Sequence, residues 1–380
     1  MGLTDYREEV RVVPVQGEKE LWEFLRLPWR VYPHDPYWVP PILSHQRDFL
    51  DPHKGPFFEV GEAQYFLAYH QGQPAGRISA HLNHLYDENY DRITGFFGFF
   101  ESIPEPRVAA ALFEAAADWM RQRGRTRLLG PLSFSIYDEV GLLVEGFDSI
   151  PAMFQSHNPP YYPELFRALG FRKTFDFYAL RLTKRFPLEP LEAKIAQILQ
   201  GQNLRLIPLD PRDLDRRREE VYSLFNEAWS SNWCHIPLTQ KQFQSFYEEL
   251  KPLLRPNLVK LLLDGDDLVA FSIVLPDLNP LVKTFNGELS FWKKLRLLYA
   301  AKYKPIKKVR ALVLGVRQRY QGRKLHQALI LKSYVDGARE TPCEFVDLSL
   351  IPENLRHYMK AFRIFGAERY KIFRIFEKDI

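Results

Sequence analysis

The chain carries one strand-turn-helix stretch on which its interpretation depends, Leu312-Val-Leu-Gly-Val316-Arg-Gln-Arg-Tyr-Gln321-Gly322-Arg323-Lys324-Leu325-His326-Gln-Ala328-Leu329. Its first part, from Ala311 to Val316, is apolar with a β-branched bias, which predicts a strand. From Leu325 the apolar residues recur at helical spacing. The turn between them opens a helix, where backbone N–H groups lack partners at the positive end of the helix dipole. Such a turn is suited to an anion such as a pyrophosphate.

The residue types of the turn favour the same ligand, because Gly322 lets the backbone approach it closely and Arg323 and Lys324 add charge. The stretch resembles motif A of the GNAT acyltransferase superfamily, a loop that cradles the pyrophosphate of acyl-coenzyme A. Gln321 and Gly322 agree with that motif, whereas Lys324 and His326 stand where the family prefers small residues. A βα turn without a ligand is the alternative. The resemblance implies acyl-CoA as co-substrate, held by Val316, Gln321, Gly322, Arg323, Lys324 and Leu325.

Length and composition limit the classes of protein that this chain can represent. Its 380 residues are 46% hydrophobic and 14% aromatic, enough to bury two ordinary cores. The formal charge of +5 suits anionic small ligands or an acidic surface, and we do not expect nucleic acid as a partner. Cys234 and Cys343 are far apart, so we expect a reduced cytoplasmic protein. The segment Met1–Tyr6 lacks the apolar core of a signal peptide, and no apolar run reaches membrane-spanning length.

The order of predicted elements repeats along the chain. The hairpins match at Gly76 and Ala270, and the ends of two helices match at Gly170 and Gly366. The repeated order, β-α-β-β-β-α-β-α-β, is that of the GNAT fold, so the resemblance extends over nearly the whole chain. It implies an α/β protein of two tandem GNAT-like domains, each a mixed β-sheet flanked by helices. The predicted divisions are residues 1–183 without a pyrophosphate loop, a helical linker at 184–203, and residues 204–380 with the CoA motif and a basic insertion at 281–310.

The second helical motif of the superfamily has an Asn near its start and a Tyr four residues before a Gly that caps the helix. Asn354 and Gly366 match this pattern, which implies that Asn354 belongs to the CoA site. Phe362 stands where the Tyr proton donor is expected. Tyr358 lies one helical turn earlier on the same side and is the nearest substitute. A tyrosine that only packs in an apolar stripe is the alternative.

The first half has a different distinctive region. After Phe100 comes Glu101-Ser-Ile-Pro-Glu-Pro106, which is acidic and would repel phosphate. The polar and aromatic run 130–162, with the proline-rich loop 35–41, resembles a subgroup of bacterial tandem GNAT-like acyltransferases, and loops over a rigid sheet often carry catalysis. The alternative is a structural insert with capped turns. We expect a general base among Asp138, Glu139, Glu145 and His157, and an acceptor site that includes Ser135, Asn158 and Tyr161.

No metal cofactor is expected. His81 and His84 have the spacing of metal ligands, but no third ligand is adjacent, and a surface position explains them better. The mechanism of the superfamily is direct attack of an amine on the thioester, which needs a base and an acid but no nucleophilic Ser or Cys.

The insertion at 281–310 has the composition of an interfacial helix, because its cations stand against a single acid, Glu288. Apolar residues fall on one face at helical spacing, so this face would enter the acyl boundary while the cations meet anionic headgroups. We therefore expect contact with an anionic membrane and a peripheral location at the inner membrane face. A helix packed on its own domain is the alternative. The apolar set is Phe291, Trp292, Leu295, Leu298 and Tyr299, and the cations are Lys283, Lys293, Lys294, Arg296, Lys302, Lys304, Lys307, Lys308 and Arg310.

Together these features predict an N-acyltransferase that moves an acyl group from acyl-CoA to a primary amine, with a long-chain or lipid-like amine as one option. An aminoacyl-tRNA-dependent transferase is the second hypothesis, since tandem GNAT-like folds also perform that chemistry. A non-catalytic acyl-CoA-binding protein is the third, because the motif glycine and the motif tyrosine are missing. Acyl length, acceptor and oligomeric state are left open.

Overall fold

The computed structural model describes residues 10–340 and 343–380. The chain forms two compact units. The first unit runs to Asp176 and also contains Val282–Leu289 and Lys371–Ile380. The second unit contains Phe177–Leu281 and Ser290–Tyr370. Met1–Tyr6, the segment without signal-peptide features, lies outside the described residues.

The first part of the chain begins with a short strand, continues through a long hairpin and ends in the strand that leads toward the second half. Its strands and helices are β1 (Arg11–Pro14), α1 (Glu18–Arg26), α2 (Pro28–Val31), α3 (Leu43–Leu50), β2 (Gly61–His70), β3 (Gln73–Asn83), α4 (His84–Asn89), β4 (Thr94–Ser102), α5 (Pro106–Arg121), β5 (Arg127–Gly130), β6 (Leu142–Glu145), α6 (Tyr162–Ala168) and β7 (Arg172–Leu182).

Among the described residues, the second part of the chain follows a similar order, with two more helices and one strand fewer. Its elements are α7 (Leu188–Leu199), β8 (Leu204–Pro208), α8 (Pro211–Arg216), α9 (Arg218–Trp229), α10 (Gln240–Leu250), β9 (Val259–Asp264), β10 (Asp267–Pro276), α11 (Asn279–Lys283), α12 (Phe291–Tyr303), β11 (Lys308–Val316), α13 (Leu325–Glu340), β12 (Phe345–Pro352), α14 (Arg356–Ile364) and β13 (Glu368–Asp379). None of the described helices combines the length and the apolar character that crossing a membrane requires.

Each unit has a mixed sheet. In the first unit the strands lie in the order β1-β2-β3-β4-β5-β13, with β6 also paired to β13, and the pair β4/β5 is parallel. In the second unit the order is β7-β12-β11-β10-β9-β8, and the pair β11/β12 is parallel. Helix α5 buries Val108, Leu112 and Ala116 at four-residue spacing in the core of the first sheet. Helix α13 buries Leu325, Ala328 and Leu329 in the second.

The ends of α6 and α14 repeat one another in atomic detail. The N–H of Phe171 donates to the carbonyl of Phe166, and the N–H of Ala367 donates to the carbonyl of Phe362, each at 3.0 Å. This bond is the long closing bond of a Schellman motif. The two halves therefore share the same helix ends, and the predicted α/β architecture with a repeated order of elements is confirmed.

The first compact unit contains a strand segment from the end of the sequence, and the second contains most of the residues of β7. The last segment, Lys371–Ile380, pairs with β5 and β6 in the first unit, where Phe376 faces Gly130 and Ile372 faces Glu145. Conversely, the end of β7 from Phe177 pairs with β12 in the second unit. The divisions at 183 and 204 are divisions of the sequence repeat and stay a prediction.

Candidate functional site

The predicted CoA-binding turn lies between β11 and α13. Gly322 and Lys324 have φ angles of 83° and 61°, which place both in the left-handed region. Within the described part of the chain, the backbone N–H groups of Gly322, Arg323 and Lys324 donate to no protein acceptor. These residues are also exposed to solvent. The turn therefore combines free backbone donors with two cations, which is the arrangement that binds phosphate groups at helix starts.

Neighbouring side chains hold the turn in place. Tyr320 is buried beneath it and donates its hydroxyl to Asp264 Oδ2 at 2.7 Å. The guanidinium of Arg323 lies 4.8 Å from the centre of the Tyr320 ring. The amide of Gln321 reaches back to the carbonyl of Val316 at 3.5 Å. A Cβ added at Gly322 would meet no protein atom within 4 Å, so the space beside this glycine is open to a ligand.

Tyr358, the substitute proton donor, lies beside the start of α13. Its ring centre is 5.5 Å from that of His326, the second residue of this helix, and burial raises the pKa of its hydroxyl. A raised pKa keeps the phenol protonated, as an acid must be before it donates. Phe362 stacks against Tyr358 with ring centres 6.3 Å apart, and the side chain of Asn354 is exposed just before α14.

The first unit contains a buried histidine–carboxylate pair. His157 Nε2 lies 2.8 Å from Asp35 Oδ2, and the N–H groups of Tyr37 and Trp38 donate to Asp35 Oδ1 at 2.7 and 3.1 Å. Burial by itself would raise the pKa of Asp35, but the bond from His157 and these backbone bonds hold it below its ordinary value. Burial lowers the pKa of His157 against the opposing effect of Asp35.

These two shifts define the protonation of the pair. A neutral imidazole donates from Nε2 to an ionised Asp35, so the lone pair lies on His157 Nδ1. In the part of the chain that the structure describes, this buried Nδ1 has no hydrogen-bond partner. Asp35 therefore fixes the orientation of this imidazole, and the second ring nitrogen of His157 is left as a hydrogen-bond acceptor.

A second carboxyl lies close to this pair. The hydroxyls of Tyr32 and Tyr162 both lie 2.8 Å from Glu101 Oε2, and the Tyr32 hydroxyl is also 3.2 Å from the backbone carbonyl of His157. Burial raises the pKa of Glu101 to about 7, although Arg77 and the two tyrosines act in the opposite direction. The sequence did not single out Asp35, Glu101 or the two tyrosines as site residues.

Glu139 belongs to the same neighbourhood. Its charge contributes to the raised pKa of Glu101, and Arg77 interacts with both carboxyls. Burial raises the pKa of Glu139 too, yet its side chain is exposed to solvent.

The hydrogen bonds of three other predicted site residues join parts of the protein to one another, and the catalytic or binding roles of these residues stay predictions. Ser135 Oγ donates to Asp138 Oδ2 at 2.6 Å within one turn. The amide of Asn158 bridges to β6, accepting from the N–H of Leu143 at 2.7 Å and donating to its carbonyl at 3.1 Å. The hydroxyl of Tyr161 donates to the carbonyl of Ser102 at 2.6 Å. Glu145 ends β6 with an exposed side chain.

The fold places the two histidines with metal-like spacing in different environments. His84 is exposed, but His81 is fully buried in β3, so its predicted surface position is wrong. Burial lowers the pKa of His81 to about 3, which makes it a neutral core residue. Among residues 10–340 and 343–380, no group of three or more His, Cys, Asp or Glu side chains is arranged to hold a metal ion.

Comparisons with known proteins agree with this architecture. No family model matches the chain. The bacterial ceramide synthase of Caulobacter vibrioides is 30% identical over 376 residues, covering 98% of both chains. Protein YghO of Escherichia coli is 30% identical over 372 residues, covering 96% of this chain and 94% of its own.

Among solved structures, a tandem GNAT protein from the clavulanic acid biosynthesis pathway superposes with a TM-score of 0.56 at 13% identity, covering 98% of both chains. This likeness shows the fold, and the sequence identity to the curated relatives over almost the full length shows the family. The chain belongs to the family of the bacterial ceramide synthase and has the tandem GNAT fold.

Proposed function

We propose that this protein is an acyl-CoA-dependent N-acyltransferase. The observation that carries the proposal is the turn at Gly322–Lys324, with its free backbone donors and two cations at the start of α13. In the reaction the amine nitrogen attacks the thioester carbonyl, a C–N bond forms and the C–S bond breaks. The amine loses one proton to a base, and the departing thiolate of CoA takes one proton from an acid.

We assign these proton transfers to two residues. His157 Nδ1 accepts the proton of the amine, and Asp35 acts as a positioning residue that fixes the tautomer and orientation of the imidazole. Tyr358 donates the proton to the thiolate, since its hydroxyl is protonated at neutral pH and lies beside the start of α13. Glu139, which is solvent-accessible and has a raised pKa, is the second candidate for the base.

We propose a long-chain or lipid-like primary amine as the acceptor. A relative that covers the whole chain is named a ceramide synthase, and ceramides are N-acylated long-chain amino alcohols. The loop that holds Asp35 is aromatic, and Trp38 stacks on Tyr32 at 4.9 Å and meets Trp29 at 5.1 Å, which gives this region an apolar character. With acyl-CoA as the donor and a lipid-like acceptor, we propose a cytoplasmic enzyme that works peripherally at the inner face of the membrane.

Calorimetric titration of the protein with CoA, long-chain acyl-CoA and tRNA separately tests the proposal, followed by turnover with amines of increasing chain length. We expect binding of CoA and acyl-CoA, none of tRNA, and amide formation that improves with the length of the amine. Binding of acyl-CoA without turnover on any amine would indicate a non-catalytic binding protein. Transfer from aminoacyl-tRNA alone would indicate the tRNA-dependent reaction.

A further inference from the structure

Helix α12 presents an apolar stripe to solvent. Phe291, Trp292 and Tyr303 are 68%, 76% and 71% exposed. Steps of four residues place Phe291, Leu295, Tyr299 and Tyr303 in one row along the helix, and all four are exposed. Contiguous exposed apolar surface of this kind marks an interaction site in a folded protein.

The helix is fixed in place by its own unit. The Ser290 side chain accepts from the N–H of Lys293 at its start. On the opposite side Ala300 and Ala301 are buried. Arg255 donates to the carbonyls of Ala301 and Lys304 at 2.5 Å, which satisfies the last turn. Because both ends are capped, the apolar stripe is held outward by a formed helix.

The charge around the stripe has one sign. Between Glu288 and Asp336 the sequence contains no acidic residue. The charged side-chain ends of several exposed cations in this stretch make no ion pair or hydrogen bond in the part of the chain that the structure describes: Lys294, Arg296, Lys302, Lys304 and Lys307.

Other cations that the sequence analysis assigned to this surface have partners within the protein. Lys283 donates to the carbonyl of Trp38, Lys308 pairs with Asp277 at 3.1 Å, and Arg310 is buried 4.0 Å from Asp347. Leu298 is partly buried and is not part of the exposed row, whereas Tyr303, which the sequence omitted, is. The available cations are therefore concentrated on and directly after α12.

We propose that α12 is a membrane-docking helix that lies flat on an anionic lipid bilayer. The row from Phe291 to Tyr303, with Trp292, enters the boundary between headgroups and acyl chains, and the flanking cations contact the headgroups. The inference deepens the proposed function and rests on it, because it names the surface from which a lipid-like acceptor would be taken.

The residue types favour a bilayer over a protein partner. Tryptophan and tyrosine concentrate at membrane interfaces, where their rings reach apolar chains and their polar atoms stay hydrated. Lysines on either side extend their charged ends toward headgroups while their stems cover apolar surface. Protein interfaces are depleted in lysine, and a protein partner would need a strongly acidic surface to match these cations.

Co-sedimentation with vesicles of phosphatidylglycerol and phosphatidylcholine, compared with pure phosphatidylcholine, tests the proposal without any acyl donor. We expect binding to the anionic vesicles, lost in high salt. The combined change Lys294→Glu, Arg296→Glu and Lys302→Glu should weaken binding about 100-fold or more, because each cation near an anionic surface adds to the attraction. Trp292→Ser should weaken it about tenfold or more.

A matched control variant distinguishes the effect of where the charges lie from the effect of the protein's net charge. Lys19→Glu, Lys241→Glu and Lys360→Glu change the net charge by the same amount at exposed positions on other helices, and we expect them to bind vesicles nearly as well as the unaltered protein. Quenching by brominated lipids gives an independent measure of insertion. We expect quenching that Trp292→Phe removes.

The outcomes distinguish this inference from the proposed function. Equal binding by both charge-reversal triples, no binding to anionic vesicles, or self-association in solution that Trp292→Ser abolishes would overturn the docking role of α12. Turnover of a short soluble amine, measured without vesicles, reports on the proposed function alone. We expect the triple change in α12 to preserve that turnover and to lower turnover of a long-chain amine presented in anionic vesicles.

Discussion

The two units begin their equivalent helices in opposite ways. Helix α13 opens with free N–H groups at Gly322–Lys324 and two cations. Helix α5 opens with Pro106, which has no N–H, and the carboxylate of Glu105 accepts from the N–H of Arg107 at 3.4 Å. The first start attracts an anion, whereas the second satisfies its own donors and carries negative charge.

This difference indicates how one fold supports two tasks. In the second unit the strand before the helix ends in Val316 and leads into an exposed turn with unpaired backbone N–H groups. In the first unit the corresponding strand continues through the buried Glu101, which joins a network with Tyr32 and Tyr162 close to His157. Where the second unit has an open turn, the first unit therefore has a buried network of hydrogen-bonded side chains in the same part of the module.

The largest expected effect comes from closing the open turn. Gly322→Val should abolish CoA binding, because the side chain occupies the space that the pyrophosphate needs and the left-handed backbone becomes strained. Calorimetry with CoA measures it. Gly72→Val is the matched control: Gly72 has a φ of 74°, also with nothing within 4 Å, in the hairpin of the first unit. Equal affinity in folded Gly322→Val would contradict the assignment of the turn.

The proposed proton-accepting role of His157 in the first unit is tested by His157→Gln and Asp35→Asn. We expect kcat to fall about 100- to 10,000-fold for His157→Gln and less for Asp35→Asn, with acyl-CoA affinity unchanged. Asp138→Asn is the control, because the Asp138 carboxylate accepts from Ser135 within a surface turn. Normal turnover of His157→Gln would move the base elsewhere, with Glu139→Gln as the next variant.

Glu101 should couple stability to pH in the first unit. Burial raises its pKa from 4.5 to about 7, so between these values the folded chain holds a proton that the unfolded chain has released. The free energy of unfolding therefore falls as pH rises from 4.5 through 7, by up to about 3 kcal/mol. Glu101→Gln should remove this fall, as measured by urea unfolding at pH 5 and pH 8. An unchanged difference between the two pH values would show that Glu101 ionises normally.

Tyr358→Phe should have a smaller effect, confined to the second unit. Without the phenol the thiolate leaves unprotonated, and we expect kcat to fall about tenfold while CoA affinity stays the same. Tyr334→Phe, on α13, removes a hydroxyl that contacts the backbone of Phe186 and serves as control. Equal kcat for the two variants would leave Tyr358 with a packing role beside Phe362.

The pH dependence of turnover distinguishes His157 from other groups that could act as the base. Because burial lowers the pKa of His157, kcat should rise with pH through a value below 6.5 and be level above pH 7. Asp35→Asn should lower that apparent pKa further, since the ionised carboxylate favours the protonated imidazole. A profile controlled instead by a group above 7 would favour a carboxyl with a strongly raised pKa or the substrate amine itself.

The fold was largely predictable because its signals are local. Strand and helix periodicity and the matched helix ends at Gly170 and Gly366 repeat within the sequence. The network around His157 was only partly predictable, since Asp35 and Glu101 reach it from distant parts of the chain. One local signal was available: Glu101 continues the apolar strand that begins at Thr94, and an acid inside such a strand is typically buried with partners.

The pairing of a late segment, Lys371–Ile380, with a strand of the first unit has a consequence for protein synthesis. Strand β5 of the first unit pairs with β4 on one side, and its other edge receives Lys371–Ile380 only after this segment has left the ribosome. At about 5–20 residues per second, the roughly 200 residues after Asp176 take about 10–40 seconds to add. Throughout this interval the nascent first unit exposes an unpaired sheet edge, the kind of surface that recruits holdase chaperones or aggregates. A gene truncated shortly before Lys371 would therefore damage the module encoded at its beginning.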